Sequence, residues 1–485
     1  MQFNSFLFIL CFLPLVLLGY FALNHIRKYR GGGGLFLAGA SLFFYAYADP
    51  ETLLPLGLSI LVNFLFAKLL AAEKIRWRKI ILAVPIGINI GLLLYFKYLN
   101  FAISNFNAVF HTDYSLRTLL LPVGISFFTF QQIAYLVSVY RKELSSVNFL
   151  DYLIYITYFP KLLMGPLMEP TDFLQQFHDV SRKKINWDHL ACGTKIFSFG
   201  LFKKVMIADT FAKAVSWGYA NIDAATAMDW LLVMLFYTFE IYFDFSGYSD
   251  MAVGVSEMLN IRLPINFDSP YKALSIRDFW KRWHISLTKF FTKYVYIPLG
   301  GSRKGKLFTY LNTMIIFIIS GIWHGANWTF LLWGVLHGLL MVFDRIFEQA
   351  EKNVFEPLRW GVTFFVVNVL WLLFRSDSIS QWKQILKTIA HLSSTAISDG
   401  LINTFGLPES TFLTDLLHLG VLANGIHGFW MLVFAGGALL LCLVPENNYR
   451  KLEQNTALTM VLAAAAFVWS FICLSAESVF VYFNF

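Results

Sequence analysis

The chain has 485 residues, of which 57% are hydrophobic and only 14% are charged. A typical soluble domain has about 25% charged residues, so a water-soluble globule is excluded, as are a disordered chain, a collagen and a coiled coil. The net charge of +8 comes from short basic clusters beside apolar runs, which is typical of residues that set membrane topology and not of a nucleic-acid surface. The composition therefore predicts a polytopic integral membrane protein.

The apolar runs predict how many helices cross the membrane, because one crossing needs about 20 apolar residues. These runs are continuous and do not alternate, which excludes a membrane β-barrel and predicts an all-α protein with about 11 transmembrane helices. Residues 35–48 form a short predicted span. The other predicted spans are residues 3–24, 52–72, 80–98, 117–140, 226–245, 308–322, 326–344, 357–374, 428–444 and 457–476.

Lysine and arginine predict the orientation, because cytoplasmic loops are enriched in both. The clusters predicted to be cytoplasmic are residues 25–30, 74–79, 141–142 and 302–306. The N-terminus is then extracytoplasmic, and residues 376–427 form an extracytoplasmic loop segment. No Lys or Arg precedes the first apolar run, so we expect a retained span and not a cleaved signal peptide.

Two stretches fit neither a span nor a simple loop. Residues 151–168 are apolar but are interrupted by Phe159-Pro160 and Gly165-Pro166, which predicts a re-entrant segment whose backbone is satisfied by protein or by a water-filled cavity. Residues 193–215 carry five charged side chains among apolar ones and favour an interfacial helix. The four cysteines show neither metal-ligand spacing nor a disulfide framework.

Residues 276–291 have the pattern of a basic amphipathic helix. Aromatic and leucine side chains fall within an arc of about 120° at 100° per residue, and basic side chains cover most of the rest. His284 lies at the edge of the apolar arc, beside Phe291. One interpretation is membrane anchoring by Trp and Arg at the cytoplasmic interface. The other is that the helix dips into the protein and points His284 at a reaction chamber.

The apolar run of residues 308–344 is too long for one crossing, since a continuous helix would measure about 55 Å. The predicted break is residues 320–328, which hold two glycines and His324. An ionisable side chain at membrane depth is a functional candidate, and histidine suits proton transfer because its ordinary pKa is near neutrality. Asn327 would share a helical turn with His324 and orient the imidazole or an acyl carbonyl. The alternative is a core histidine bonded to a backbone carbonyl.

His337 lies 13 residues beyond His324, which is about 220° around a continuous helix and so nearly the opposite face. Gly334 and Gly338 flank it with the small-xxx-small spacing of a helix-packing surface. This pattern favours a structural role for His337.

Residues 240–250 place Glu240, Asp244 and Tyr248 on one helix face. Two carboxylates at the end of an apolar span are costly unless they are paired, and the basic residues of 277–282 are candidate partners. The spacing slightly favours a structural ion-pair network over catalysis. No P-loop, GxGxxG, GxSxG or HExxH motif is visible, so nucleotide hydrolysis, hydride transfer, serine-type acyl hydrolysis and zinc proteolysis lack machinery.

Three sequence blocks now support a resemblance: FDFSGYSDMA at 243–252, FWKRWHISL at 279–287 and GIWHGANW at 321–328. They resemble the hallmark blocks of membrane-bound O-acyltransferases, in the bacterial branch similar to the membrane subunit of alginate O-acetylation and its relatives in peptidoglycan acetylation. Further blocks supporting the resemblance are residues 121–127, 159–160, 165–166, 474–478 and 482–485.

The resemblance implies a funnel-shaped fold with a central tunnel, formed by one domain over residues 1–485 whose core, 119–346, carries the motifs. It places the family's near-universal histidine on His324 and the second family histidine on His284. Substrate-binding or tunnel-lining candidates are Asn327, Trp328, Trp323, Trp283, Arg282, Asp244, Tyr248 and Ser246. No metal and no bound cofactor is expected.

The resemblance also implies a reaction in the bacterial inner membrane. An acetyl group would pass from a cytoplasmic thioester, acetyl-coenzyme A, to an extracytoplasmic polysaccharide such as alginate. His324 would act as the general base, with a covalent acyl-imidazole as the alternative. Residues that could attract the donor phosphates are Arg277, Lys281, Arg282, Arg303 and Lys304. An extracytoplasmic acyltransferase partner is expected, because the chain has no large external domain.

Other readings remain open at this point. The acceptor could be peptidoglycan, or the reaction could be teichoic acid alanylation or acylation of a lipid. A transporter or flippase of an acyl carrier and a non-catalytic scaffold are the rivals that do no chemistry. No internal repeat is visible in the sequence, and the candidate histidines are present, which argues against a transporter.

Overall fold

A computed structural model describes residues 1–26, 32–72, 76–144, 147–351, 353–392, 394–407, 423–445, 456–474 and 480. Within these ranges every regular element is helical. The first helices are α1 (Leu13–His25), α2 (Gly32–Ala48), α3 (Leu53–Ala71), α4 (Arg78–Phe110), α5 (Ile125–Tyr140), α6 (Phe149–Thr157), α7 (Phe159–Leu162) and α8 (Pro170–His178).

The middle of the chain supplies the helices around the candidate site. They are α9 (Trp187–Phe202), α10 (Asp209–Ala220), α11 (Ala227–Met258), α12 (Ile276–Arg282), α13 (Ile285–Phe291), α14 (Lys306–His324) and α15 (Trp328–Ile346). The remaining helices are α16 (Glu348–Glu351), α17 (Glu356–Arg375), α18 (Ile379–His391), α19 (Asp399–Asn403), α20 (Ala423–Leu443) and α21 (Ala457–Ile472).

Among the described residues, seven helical segments are long and apolar enough to cross a membrane. They are Phe8–His25, Pro50–Ala71, Arg78–Phe110, Lys306–His324, Trp328–Ile346, Glu356–Arg375 and Gly425–Leu443. Helices α2, α5 and α21 are apolar but shorter, and the eleventh predicted span, 226–245, lies in α11. The prediction of an all-α polytopic protein is confirmed, while the number of spans stays a prediction.

Helix α5 starts later than the predicted span 117–140. Its first residue is Ile125, because Gly124 before it adopts a left-handed conformation with φ +75°. Pro122 lies two residues earlier and lacks a backbone N–H. The chain from 117 to 123 is therefore non-helical, and part of it lines the cavity described below.

Helix α11 is the buried centre of the bundle, and α9 packs against it through glycines. A Cβ on Gly193 would lie 2.5 Å from the carbonyl oxygen of Gly254, and a Cβ on Gly200 would lie 2.7 Å from that of Gly247. Such distances leave no room for a side chain, so the two backbones are in contact. The segment 193–215 is thus largely buried against α11, and its position at the membrane interface stays a prediction.

The interruption predicted within 151–168 is confirmed. Helix α6 ends before Tyr158, α7 is a single turn, and Gly165 approaches α7 so closely that a Cβ would lie 2.4 Å from the Cα of Lys161. Nearly all of this segment is buried. Its re-entrance into a membrane stays a prediction.

Candidate active site

His324 is the last residue of α14 and lies at the predicted break in the 308–344 run. The chain extends at Gly325 (φ −167°) and turns back into α15. The two helices approach closely, since a Cβ on Gly321 would lie 2.4 Å from the carbonyl oxygen of Phe330. The imidazole is buried against the rings of Trp323, Trp333 and Phe374, with centroid distances of 4.8, 5.3 and 5.2 Å.

Asn327 does not share a helical turn with His324, so that expectation is wrong. Asn327 is the N-cap of α15, and its Oδ1 accepts a hydrogen bond from the backbone N–H of Thr329 at 3.1 Å. Its Nδ2 donates to the carbonyl oxygen of Asp377 at 2.8 Å. The amide starts α15, as cap residues commonly do, and fixes the turn beyond His324 to the segment after α17.

His324 opens onto a cavity of about 400 Å³, which we name the upper cavity. Trp323, Lys97 and Met164 also line it, together with residues 121–127. Volumes of this order are typical of sites for small ligands. The upper cavity is therefore large enough to hold a small ligand beside His324.

Lys97 of α4 is a site residue that the sequence analysis missed. Its Nζ donates to the carbonyl oxygens of Trp323 at 2.7 Å and His324 at 2.8 Å. The next residue, Tyr98, donates its hydroxyl hydrogen bond to the carbonyl oxygen of Ile322. The available signal was an ionisable residue inside an otherwise apolar predicted span, 80–98.

His284 lies at a break that the sequence did not predict. Helix α12 ends at Arg282, and His284 adopts a left-handed conformation (φ 45°, ψ 51°) before α13. The break is fixed by Asn266, whose carbonyl oxygen accepts from the N–H of Ile285 at 3.0 Å and whose Oδ1 accepts from the hydroxyl of Ser286 at 2.6 Å. The prediction of one amphipathic helix over 276–291 is therefore wrong, and His284 does not lie beside Phe291 on a helix face.

The His284 imidazole is enclosed by aromatic rings. Its ring centroid lies 4.8 Å from that of Phe245, 6.2 Å from that of Trp323 and 6.5 Å from that of Phe127. Neither ring nitrogen has a hydrogen-bond partner in the part of the chain that the structure describes. Burial lowers the pKa of this imidazole from 6.5 to about 3, so the ring is neutral at physiological pH.

This neutral histidine makes the fold sensitive to acid. Because its folded-state pKa is depressed, the unfolded state binds a proton as pH falls below about 6.5 while the folded state does not, and stability is lost until pH nears 3. The contribution is about 1.4 kcal/mol for each pH unit in that window. We expect His284→Asn, which tolerates a left-handed backbone, to flatten the decline of Tm between pH 6.5 and 4 in detergent. An unchanged slope would contradict this assignment.

A second cavity, which we name the lower cavity, has a volume of about 440 Å³. Its lining includes Phe130 and Ser286, and among its charged lining residues are Glu169, Arg262 and Lys289. Its lining is thus more highly charged than that of the upper cavity.

Three rings, of Phe127, Phe130 and Trp323, form what we name the aromatic wall between the cavities. Phe127 and Trp323 line the upper cavity, whereas Phe130 lines the lower one. The Trp323 ring contacts both phenylalanines, at centroid distances of 5.6 and 5.4 Å. His284 packs against this wall, so both predicted histidines contact the ring of Trp323.

Other predicted site residues lie apart from the two cavities. Trp283 is buried against Trp371, at a centroid distance of 4.8 Å. The guanidinium of Arg282 donates to Asp278 at 2.8 Å. Trp328 is exposed and donates its Nε1–H to Asn105. Of the eight substrate-binding candidates, Trp323 lines the upper cavity, and the other seven line neither the upper nor the lower cavity.

The three candidates on α11 lie in its buried part. Asp244 pairs with Lys204 at 2.7 Å, and both side chains are at most 2% exposed. The expectation that a basic residue of 277–282 pairs with it is therefore wrong. Ser246 is buried, and the Tyr248 ring contacts the ring of Phe3 at a centroid distance of 5.1 Å.

His337 contacts the same tryptophan as His324. Its ring centroid lies 4.6 Å from that of Trp333, and its Nδ1 accepts the indole N–H of Trp280 at 3.1 Å. The opposite-face position applies to a continuous helix, whereas the helix is broken between the two histidines. The hydrogen bond from Trp280 agrees with the structural role that the sequence favoured.

Comparison with known proteins covers this whole region. Residues 126–376 match the MBOAT, membrane-bound O-acyltransferase family. The entire chain is similar to a peptidoglycan O-acetyltransferase of Helicobacter pylori, at 36% identity over 97% of that protein. It is also similar over its entire length to a probable alginate O-acetylase of Pseudomonas putida, at 33% identity over 100% of that protein. A teichoic acid D-alanyltransferase of Bacillus subtilis is 28% identical over 52% of this chain and 66% of its own length.

Proposed function

Since this chain belongs to the membrane-bound O-acyltransferase family and is a multi-pass membrane acyltransferase, we propose that it transfers acetyl groups to an extracytoplasmic polysaccharide. The donor is a cytoplasmic thioester, acetyl-coenzyme A. The acceptor is a polysaccharide hydroxyl, in a polymer of the alginate or the peptidoglycan type, because the relatives that match over the full length are named for these two. Acetylation is favoured over alanylation because the two acetylating relatives match the entire chain, whereas the alanyltransferase matches 52% of it.

The observation that carries this proposal is the position of His324 at the wall of the upper cavity. The histidine is buried among aromatic rings, which exclude water, while its side chain borders a space large enough for an acyl group. A dry site of this kind strengthens electrostatic interactions and protects an acyl group from hydrolysis. An ionisable side chain such as imidazole is costly to place at membrane depth, and its presence there makes it a functional candidate.

In the proposed reaction, His324 acts as general base. The acceptor oxygen forms a bond to the acetyl carbonyl carbon, and its proton passes to the imidazole. The carbonyl electrons move to oxygen and then return as the C–S bond breaks, and the thiolate leaving group takes the proton from the imidazolium. Such general-base assistance is typically worth about 10²–10⁴-fold.

The lower cavity is the proposed entrance of the donor. Arg262 and Lys289 line it and offer cations to phosphate groups, while the aromatic wall separates it from His324. Helix α5 contributes residues to the lining of this cavity. The basic cluster 141–142 follows the last residue of α5 and is predicted to be cytoplasmic. With the N-terminus outside, the upper cavity then faces the extracytoplasmic side.

His284 is proposed to assist at the aromatic wall. A neutral imidazole carries one N–H donor and one acceptor nitrogen, and both nitrogens lack partners in the described part of the chain. It is therefore equipped to hold a polar group of the passing donor, such as the thioester carbonyl. An extracytoplasmic acyltransferase partner is proposed to receive the acetyl group or to present the polymer.

The test measures ester-linked groups in the cell envelope. Cells with and without this chain would be compared for alkali-released acetate and D-alanine in secreted polysaccharide, peptidoglycan and teichoic acid. We expect acetate to be lost from one of the first two polymers, which would name the acceptor. Loss of D-alanine alone would replace acetylation by alanylation, and unchanged levels of both would contradict the proposal.

A further inference from the structure

The C-terminal end of α14 is held by a cation from α4. The last carbonyl groups of a helix have no partner within that helix and carry its partial negative charge. Two of these, from Trp323 and His324, accept hydrogen bonds from the Lys97 Nζ at 2.7 and 2.8 Å. Lys97 is separated from them by more than two hundred residues in sequence, so this contact is a tertiary feature of the fold.

The same ammonium borders the substrate space. Lys97 and His324 both line the upper cavity. A lysine ammonium has three N–H donors, and the two carbonyl groups use two of them. One N–H donor of the ammonium thus remains, on a residue that lines the cavity beside the histidine that would remove the acceptor's proton.

We propose that Lys97 stabilises the oxyanion that forms in the upper cavity when the acceptor hydroxyl attacks the acyl carbonyl. This inference rests on the proposed acyl transfer. In that step the new C–O bond forms, the proton moves to His324, and the carbonyl π electrons become the negative charge on oxygen. The charge disappears when the C=O bond is restored and the C–S bond breaks.

The carbonyl groups at the end of α14 explain why a cation is needed beside the oxyanion. The carbonyl ends of α14 point their partial negative charge toward the site, which would disfavour an oxyanion nearby. The Lys97 ammonium offsets these dipoles and supplies a preorganised donor in a water-excluded site, where such donors have their largest effect.

Three variants of the full chain in proteoliposomes test the proposal. Lys97→Met removes the charge, Lys97→Arg keeps it, and Lys79→Met removes an exposed lysine from the same helix as a control. With acetyl-coenzyme A and a soluble oligosaccharide acceptor, we expect Lys97→Met to lower kcat by about 10²–10³-fold with little change in KM, as for a lost oxyanion donor. Lys97→Arg should retain most of the rate, and Lys79→Met all of it.

A second measurement does not depend on the donor. Diethylpyrocarbonate modifies accessible imidazoles, and mass spectrometry of the peptide containing His324 reports the rate. Methylphosphonate, a small tetrahedral anion, should slow this modification in the wild type, in Lys97→Arg and in Lys79→Met. It should give no protection in Lys97→Met, because the anion then has no cation to bind.

The outcomes separate the two proposals. Protection that is absent in the wild type or equal in Lys97→Met and the wild type overturns the role of Lys97, even if Lys97→Met has lost activity by misplacing His324. An unchanged kcat in Lys97→Met overturns it as well. If the protection pattern holds but the wild type does not consume acetyl-coenzyme A with this acceptor, the anion site stands and the proposed transfer from acetyl-coenzyme A to a free oligosaccharide fails.

Discussion

Replacing His324 with glutamine is expected to abolish the acetylation of the polymer. Glutamine has a similar size and keeps a polar side chain, but it cannot take a proton from the acceptor hydroxyl. Loss of general-base assistance alone predicts a fall of about 10²–10⁴-fold. Acetate released by alkali from the polymer, in cells with matched membrane levels of the two proteins, measures the effect.

His337 provides the matched control, because it is also a buried histidine that packs against Trp333. Its Nδ1 accepts the indole N–H of Trp280, and the side-chain oxygen of glutamine can accept the same bond. We therefore expect His337→Gln to retain most of the acetylation. A His324→Gln protein that inserts normally and still acetylates at the wild-type rate would eliminate the general-base role.

The second large effect is expected at the buried ion pair of Lys204 and Asp244. Breaking a buried pair by removing one partner leaves an uncompensated charge and costs about 3–5 kcal/mol. Asp209 also contacts the Lys204 ammonium, at 2.9 Å, so Asp244→Asn should fall near the lower end of that range. A drop in Tm of the detergent-solubilised protein, with the activity of the folded fraction unchanged, is the expected result.

Asp209 supplies the comparison for this measurement. It pairs with the same ammonium but its side chain is 23% exposed, against 1% for Asp244. Solvent screens the more exposed pair, so Asp209→Asn should lower Tm less. The double variant Lys204→Met with Asp244→Leu should recover part of the loss, since it removes both charges of the more deeply buried pair. Asp209 then loses the same ammonium, but its partly exposed carboxylate keeps contact with solvent. A normal Tm with a raised KM in Asp244→Asn would instead place Asp244 in the substrate path.

Features that depend on local sequence could be predicted. The break around His324 follows from the length of an apolar run and two glycines, and the structure places it between α14 and α15. The cores of the helices were visible for the same reason, because twenty consecutive apolar residues are a strong signal.

Features that depend on distant contacts could not be predicted. The left-handed turn at His284 requires Asn266, which satisfies the backbone of α13 from outside the helix. The amphipathic pattern of 276–291 fits a straight helix equally well, so periodicity alone gives no sign of this turn. Lys97 and the partner of Asp244 were missed because each depends on the packing of two helices far apart in sequence.

The aromatic wall has a consequence for the energetics of the cell. In the proposed orientation the upper and lower cavities open to opposite faces of the membrane, where a continuous file of water between them would conduct protons. Phe127, Phe130 and Trp323 interrupt that file with rings that bind water poorly, and the neighbouring His284 stays uncharged at physiological pH. In that orientation the wall blocks proton conduction while the uncharged acetyl thioester group of the proposed donor can approach it, so the proposed acyl transfer need not dissipate a proton gradient.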